Sequence, residues 1–198
     1  MASQPMQRYT PEEYLAIERK AEFRSEYFGG EVVAMAGNSL EHIAIVTNLV
    51  VELGTRFRGT PCRVLATEMR VQIQETGAYV YPDIITVCGE PRLTDSRFDT
   101  LLNPQVIFEV LSPSTEAHDR GLKWAHYRRL ESLREYVLVC QDRPLIERYI
   151  RNEDGDWVLK ESRGLDATLE IVSASCIIPL ATIYDGVAFP VEDAMFQS

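Results

Sequence analysis

Asp83 and Glu109 are carboxylates set inside apolar segments, Tyr-Val-Tyr-Pro-Asp-Ile-Ile-Thr-Val and Gln-Val-Ile-Phe-Glu-Val-Leu. A carboxylate stripped of water without a partner is costly, so such residues are seldom buried alone. Two strands that each carry one point to a shared cation. Carboxylate oxygens favour a hard ion, Mg²⁺ or Mn²⁺. An ion held there can activate a water and neutralise charge on a phosphate in flight. The two residues lie 26 positions apart, so they meet only if their strands run side by side. Pro82 cannot donate a ladder hydrogen bond, and it marks a strand start or bend that re-aims Asp83 towards a cleft.

A third element follows the Glu109 strand. Asp119, Lys123 and Tyr127 recur at a spacing of four and so share one helix face. Lys123 can then point its ammonium between the carboxylates and stabilise charge that develops on a phosphate. The alternative is an Asp119–Lys123 surface pair of little energetic weight. His42 could contact a phosphate or serve as a capping or core histidine. Arg120 could bind a phosphate through its planar fork, or pair with Asp119 or Glu116. His118 and His126 read as solvated helix residues, and Trp124 and Tyr127 as helix-core contacts. Ser112, Ser114 and Thr115 read as a helix cap, since no histidine and acid accompany them in the manner of a nucleophilic serine.

Taken together, Pro82-Asp83, Glu109-Val-Leu-Ser-Pro-Ser-Thr115, Asp119-Arg120, Lys123 and Tyr127 resemble the PD-(D/E)XK nuclease superfamily. The likeness is greatest to its small bacterial family of restriction-type endonucleases, long known as a domain of unknown function. Glu26 in Glu-Tyr-Phe-Gly-Gly-Glu and His42 in Leu-Glu-His look like that family's N-terminal signature, and the likeness spans roughly residues 8–185. The resemblance implies that Asp83 and Glu109 bind the divalent metal and that Lys123 is the active-site lysine. It implies that Glu26 adds a further acidic group near the metal or water. In place of the lysine usual two residues after the glutamate stands Leu111, so Lys123 must reach in from the helix.

The elements that have to position these groups can be outlined. Thr10, Pro11 and Glu13 open a short helix with a capping box. Strands at 25–28 and 31–36 flank Gly29-Gly30, a pair suited to a tight hairpin turn. Ser39 caps a helix to about Arg58, whose Ile43, Val46, Val50 and Leu53 recur at helical spacing. Strands are expected at 62–66, 69–74, 79–87, 105–111 and 134–140, with a helix over about 116–132 and a hairpin of 146–150 with 157–160. The 105–111 strand is almost continuously apolar, as in a sheet covered on both faces. This order implies one α/β domain over residues 1–198, and the resemblance implies a restriction-endonuclease-like fold. A central mixed sheet is flanked by helices, with one crossover between the Glu109 strand and the Tyr136 strand.

Composition narrows the partners. The chain of 198 residues carries a net charge of −10, which argues against broad attraction to polyanions. The charge is uneven: residues 56–151 hold 14 of the 20 Lys and Arg and are close to neutral. No apolar run reaches the length of a membrane span, and a cytoplasmic location is expected. Cys62, Cys88, Cys140 and Cys176 read as buried thiols in a reducing compartment rather than disulfides or zinc ligands. The expected function is a metal-dependent endonuclease acting on DNA, with a homodimer suited to the two strands of a duplex. The rival readings are an inactive dimeric nucleic-acid- or protein-binding module and a hydrolase of a small phosphate compound.

Overall fold

A computed structural model describes residues 7–66, 68–94, 97 and 99–190. Its N-terminal part holds α1 (Pro11–Glu18), the hairpin β1 (Ser25–Phe28) and β2 (Glu31–Ala34), and α2 (Leu40–Arg56). There follow β3 (Cys62–Ala66), β4 (Arg70–Ile73), β5 (Ala78–Val80), β6 (Ile84–Cys88), β7 (Thr100–Leu101) and β8 (Val106–Leu111). A helical stretch α3 covers 116–127. The chain continues with β9 (Glu135–Cys140), β10 (Leu145–Arg151), β11 (Trp157–Arg163), β12 (Thr168–Ile171), β13 (Cys176–Pro179) and α4 (Leu180–Ile183).

The central sheet has the order β11-β10-β9-β8-β6-β3. Within this sheet only β8 and β9 run parallel, and α3 is their crossover, as expected. A second sheet, β2-β1-β5-β4-β7, takes the remaining strands of the first half, and β12 pairs with β13. The expected strand over 79–87 is therefore two. At Tyr81-Pro82-Asp83 the chain leaves the second sheet as β5 and enters the central sheet as β6.

Local chemistry explains several of these elements. At α1, Thr10 Oγ1 accepts from the Glu13 N–H and Glu13 Oε2 accepts from the Thr10 N–H, completing the capping box. Gly29 and Gly30 both have positive φ, 57° and 105°, as a two-residue hairpin turn demands. Ser39 Oγ accepts from the His42 N–H at 3.1 Å and starts α2.

Both faces of β8 are covered. Val106, Phe108 and Val110 pack with Ile45, Leu49 and Leu53 of α2. Ile107 and Leu111 pack with Tyr127, Leu130 and Leu133 and with Val71, Ile73 and Val80 of the second sheet. Leu49 is fully buried, and truncating it to Ala should cost about 2–5 kcal/mol. The buried face of α2 is Ile45, Val46, Leu49 and Leu53; of the residues whose helical spacing marked the helix, Val46 and Leu53 are buried and Ile43 is half exposed.

The reading of the cysteines is corrected in part. Cys62 and Cys88 are register partners on β3 and β6 and form a disulfide, while Cys140 and Cys176 are buried thiols as expected. Among the described residues no helix is long and apolar enough to cross a membrane.

Candidate active site

Strand register brings the two acidic groups together. Ile84 pairs with Phe108 in the β6–β8 ladder, and one step further that register sets Asp83 opposite Glu109. The ladder ends there because Pro82, the next residue, interrupts it. The Val110 N–H is instead taken by the side chain of Asp83, 2.8 Å from Oδ2. The Asp83 N–H in turn donates a long bond of 3.4 Å to Glu109 Oε2. Glu109 lies on the face of the sheet that α3 covers, bonded to Lys123 and Tyr127, while Asp83 reaches His42 of α2.

α3 carries the cation. It is α-helical over Glu116–His118, passes through a π-helical turn at Asp119–Lys123 and resumes as α-helix at Trp124–Tyr127. The expected helix to 132 thus ends sooner. Single π turns occur preferentially at functional sites. Lys123 Nζ stands 3.1 Å from Glu109 Oε1, 3.2 Å from Asp119 Oδ1 and 3.3 Å from Glu26 Oε1. Tyr127 donates its hydroxyl to Glu109 Oε1 at 2.8 Å. Asp119, Lys123 and Tyr127 therefore share a face as their spacing predicts. All three are buried, which rules out a surface ion pair.

Glu26 and His42 arrive from the other sides. Glu26 sits on β1, where the Gly29-Gly30 turn pairs it with Val33 of β2. Its Oε1 accepts the Tyr81 N–H at 3.0 Å. His42, in the first turn of α2, places Nε2 at 3.0 Å from Asp83 Oδ2. A carboxylate oxygen can only accept, so this nitrogen carries the proton, and the buried Nδ1 has no partner among the described residues.

These side chains line one cleft of about 200 Å³, together with Val33, Ala34, Met35 and Ala36. Of the residues singled out from the sequence, Asp83, Glu109, Lys123, Glu26 and His42 converge here. Arg120 does not: it pairs with Glu116 at 2.7 Å and with Glu147, away from the cleft.

Several residues of the site were not expected. Asp119, beyond sharing the lysine's helix face, is one of the three carboxylates in contact with its ammonium. His118 lines the cleft with Nε2 3.5 Å from Glu26 Oε2 and its ring against Phe28, so it is not a solvated helix residue. His126 bonds Thr76 Oγ1 at 2.7 Å. Ser112 Oγ lies 3.0 Å from both Ser114 Oγ and Thr115 Oγ1, and none of them caps α3 through its side chain. Trp124 stacks on Tyr136 and Tyr149, a core contact as expected.

The charges do not balance. Glu26, Asp83, Glu109 and Asp119 face one ammonium. Lys123 is pushed well above its ordinary pKa: burial opposes the charge, but Glu109, Glu26 and Asp119 outweigh it. Glu109 is also pushed well above its ordinary value, by burial and then by Asp119, Asp83 and Glu26 against Lys123. The two shifts pull opposite ways on one 3.1 Å contact. Three carboxylates compete for one ammonium, so Lys123 stays charged and the excess is relieved at Glu109 and at Asp119, which is raised as well, chiefly by burial. Burial acts on Glu26 too, but Lys123, His118 and the Tyr81 N–H hold it below its ordinary range.

Such an excess of buried negative charge suits a cation. Among the described residues no three His, Cys, Asp or Glu side chains are grouped to hold a metal. Two carboxylates, Asp83 and Glu109, are what remains, and Mg²⁺ commonly takes only one or two while keeping its waters. The donor set therefore fits a hard, partly hydrated ion.

Comparison with known proteins identifies the family and the fold. A family model described as "Uma2: Putative restriction endonuclease" matches residues 11–179. Two proteins of Synechocystis sp. (strain ATCC 27184 / PCC 6803 / Kazusa), both named as uncharacterized, are similar. Protein slr1290 is 35% identical over 187 residues, covering 94% of this chain and 97% of its own. Protein sll1609 is 34% identical over 161 residues, covering 81% and 91%. The crystal structure of "a putative nuclease belonging to DUF820" from Anabaena variabilis ATCC 29413 superposes with a TM-score of 0.75 at 17% identity. That match covers 89% of this chain and 97% of the other, and it shows a common fold.

Proposed function

The chain belongs to the Uma2 family of restriction-endonuclease-like proteins, and from that premise we propose that it is a metal-dependent endonuclease that hydrolyses phosphodiester bonds in DNA. The observation that carries this reading is the placement of Asp83 and Glu109 in register, with Lys123 Nζ 3.1 Å from Glu109 in an open cleft. Asp83 and Glu109 would hold Mg²⁺ or Mn²⁺, which when bound acidifies a water and offsets phosphate charge.

The chain's own groups divide the remaining work. Lys123 and Tyr127 fix Glu109 Oε1, which turns its second oxygen away from them. The Val110 N–H and His42 fix Asp83 Oδ2 in the same way. Lys123 supplies a fixed positive charge beside the scissile phosphate, where it is worth more than in water. Glu26 holds the ammonium on its other side and can accept a proton at Oε2, the oxygen that faces His118. A two-fold dimer would match the symmetry of a duplex, and a cytoplasmic location would give access to DNA.

Supercoiled plasmid DNA incubated with Mg²⁺ tests the reading. Nicking or linearisation is expected with the native chain and should vanish with EDTA and with Asp83→Asn. Cleavage that survives Asp83→Asn at full rate refutes it. One observation favours the non-catalytic reading: Leu111, where the superfamily's usual lysine would stand, is buried apolar core. Binding of DNA with no cleavage by any preparation would decide for that module.

A further inference from the structure

α2 is apolar on two faces, and only one of them is covered. Ile45, Leu49 and Leu53 lie against the central sheet. The other face runs through Leu40, Ile43, Ala44, Thr47, Val50, Val51 and Gly54, all on one side of the helix by their spacing, with Val50 at its edge partly buried against the core. Leu40 is 78% exposed, Ile43 51% and Val51 60%. An apolar groove of about 330 Å³ follows this stripe to Ala66 on β3. A helix apolar all round belongs in an interior, and exposed apolar stripes mark contact surfaces.

We propose that this stripe is where a second copy of the chain docks, α2 against α2, about a two-fold axis through Thr47. Charge confines the docking of a copy to this stripe. The chain carries −10, so two copies repel over most of their surface. No charged residue interrupts the stripe between Leu40 and Gly54; Glu41 and Glu52 fall on another side, where Glu52 bonds Arg56.

Size singles it out as well. Antiparallel pairing about Thr47 sets Leu40 opposite Gly54, Ala44 opposite Val50 and Ile43 opposite Val51, so large mostly meets small. Gly54 then has a reason to be glycine. A Cβ there would meet only Val64 of its own chain at 3.6 Å, an ordinary contact, and glycine inside a helix is otherwise a cost. Thr47 can be buried at the axis because its hydroxyl is already bonded to the Ile43 carbonyl at 2.7 Å. The groove shares Asn38 and His42 with the cleft, so a docked copy borders the active site.

This inference gives the dimer of the proposed function its surface. Oligomeric state and DNA cleavage are separate measurements, so either can fail alone. Sedimentation of the full chain over a dilution series should give twice the 22.5 kDa of one chain. Ile43→Arg and Val51→Arg should give the single-chain mass with an unchanged circular dichroism spectrum. Val158→Arg, at an exposed apolar site on β11, should leave the dimer intact. Thr47→Cys should crosslink to itself under mild oxidation. A monomer throughout, a dimer that survives both α2 arginines, or a Thr47→Cys chain that fails to crosslink overturns the proposal.

Discussion

Lys123 Nζ meets Glu109 Oε1 at 3.1 Å across 14 positions of sequence, the ammonium carried by a helix and the carboxylate by a strand. Removing the ammonium leaves Glu26, Glu109 and Asp119 buried around nothing. Breaking a buried pair in this way costs about 3–5 kcal/mol. Lys123→Met should lose stability of that order in urea unfolding near neutral pH, and Mg²⁺-dependent cleavage should fall about 10²–10³-fold. Adding Glu109→Gln should restore part of the stability and none of the cleavage. A Lys123→Met chain as stable as the native one would contradict the buried cage.

Metal binding should be visible without turnover. An ion that binds only the folded chain adds about 1.4 kcal/mol of stability at ten times its dissociation constant. Mg²⁺ or Mn²⁺ should therefore raise the melting temperature, and Asp83→Asn and Glu109→Gln should each remove most of that rise. Equal rises in the native and substituted chains would place the ion elsewhere.

The raised pKa of Glu109 has a defined consequence for stability. The unfolded glutamate titrates near 4.5, and the folded one only well above that. Between the two values the folded chain holds a proton that the unfolded chain has released. Stability is thus full below about 4.5 and falls as pH rises through the folded value. Glu109→Gln cannot titrate and should lack this part of the slope in calorimetric scans. Parallel slopes for both chains would disprove the assignment.

The cysteines should separate into two classes. The Cys62–Cys88 link closes a loop of 26 positions, and its reduction should cost about 3 kcal/mol. Cys140 and Cys176 are buried, and burial pushes the Cys140 thiol to about 11, so neither should react with an alkylating agent before unfolding. Mass spectrometry of the non-reduced, alkylated chain checks both statements.

How far the sequence disclosed this arrangement differs from residue to residue. Asp83 and Glu109 stood out because a charge inside an apolar strand has few explanations, and Lys123 because a spacing of four places it with Asp119 and Tyr127. Pro82 signalled a break, yet not that β5 and β6 join different sheets, since sheet membership is settled by long-range pairing. The buried face of α2 was not legible because the helix is apolar on two faces, and periodicity alone cannot choose between them. The Cys62–Cys88 pairing follows from strand register, which a separation along the chain does not encode. His118 carried one signal that could have found it: it directly precedes Asp119 on the helix already assigned to the site.

The π turn at Asp119–Lys123 separates what otherwise looks like one constellation. Such a turn accommodates one residue more than an α turn. Trimming one residue from it would let the helix relax and swing Lys123 by about 100° relative to the turn before it. Asp83 and Glu109, locked by the β6–β8 register, would not move. The acid pair and its cation are thus independently adjustable parts: a change of length alone can disconnect the ammonium while Asp83 and Glu109 stay in place.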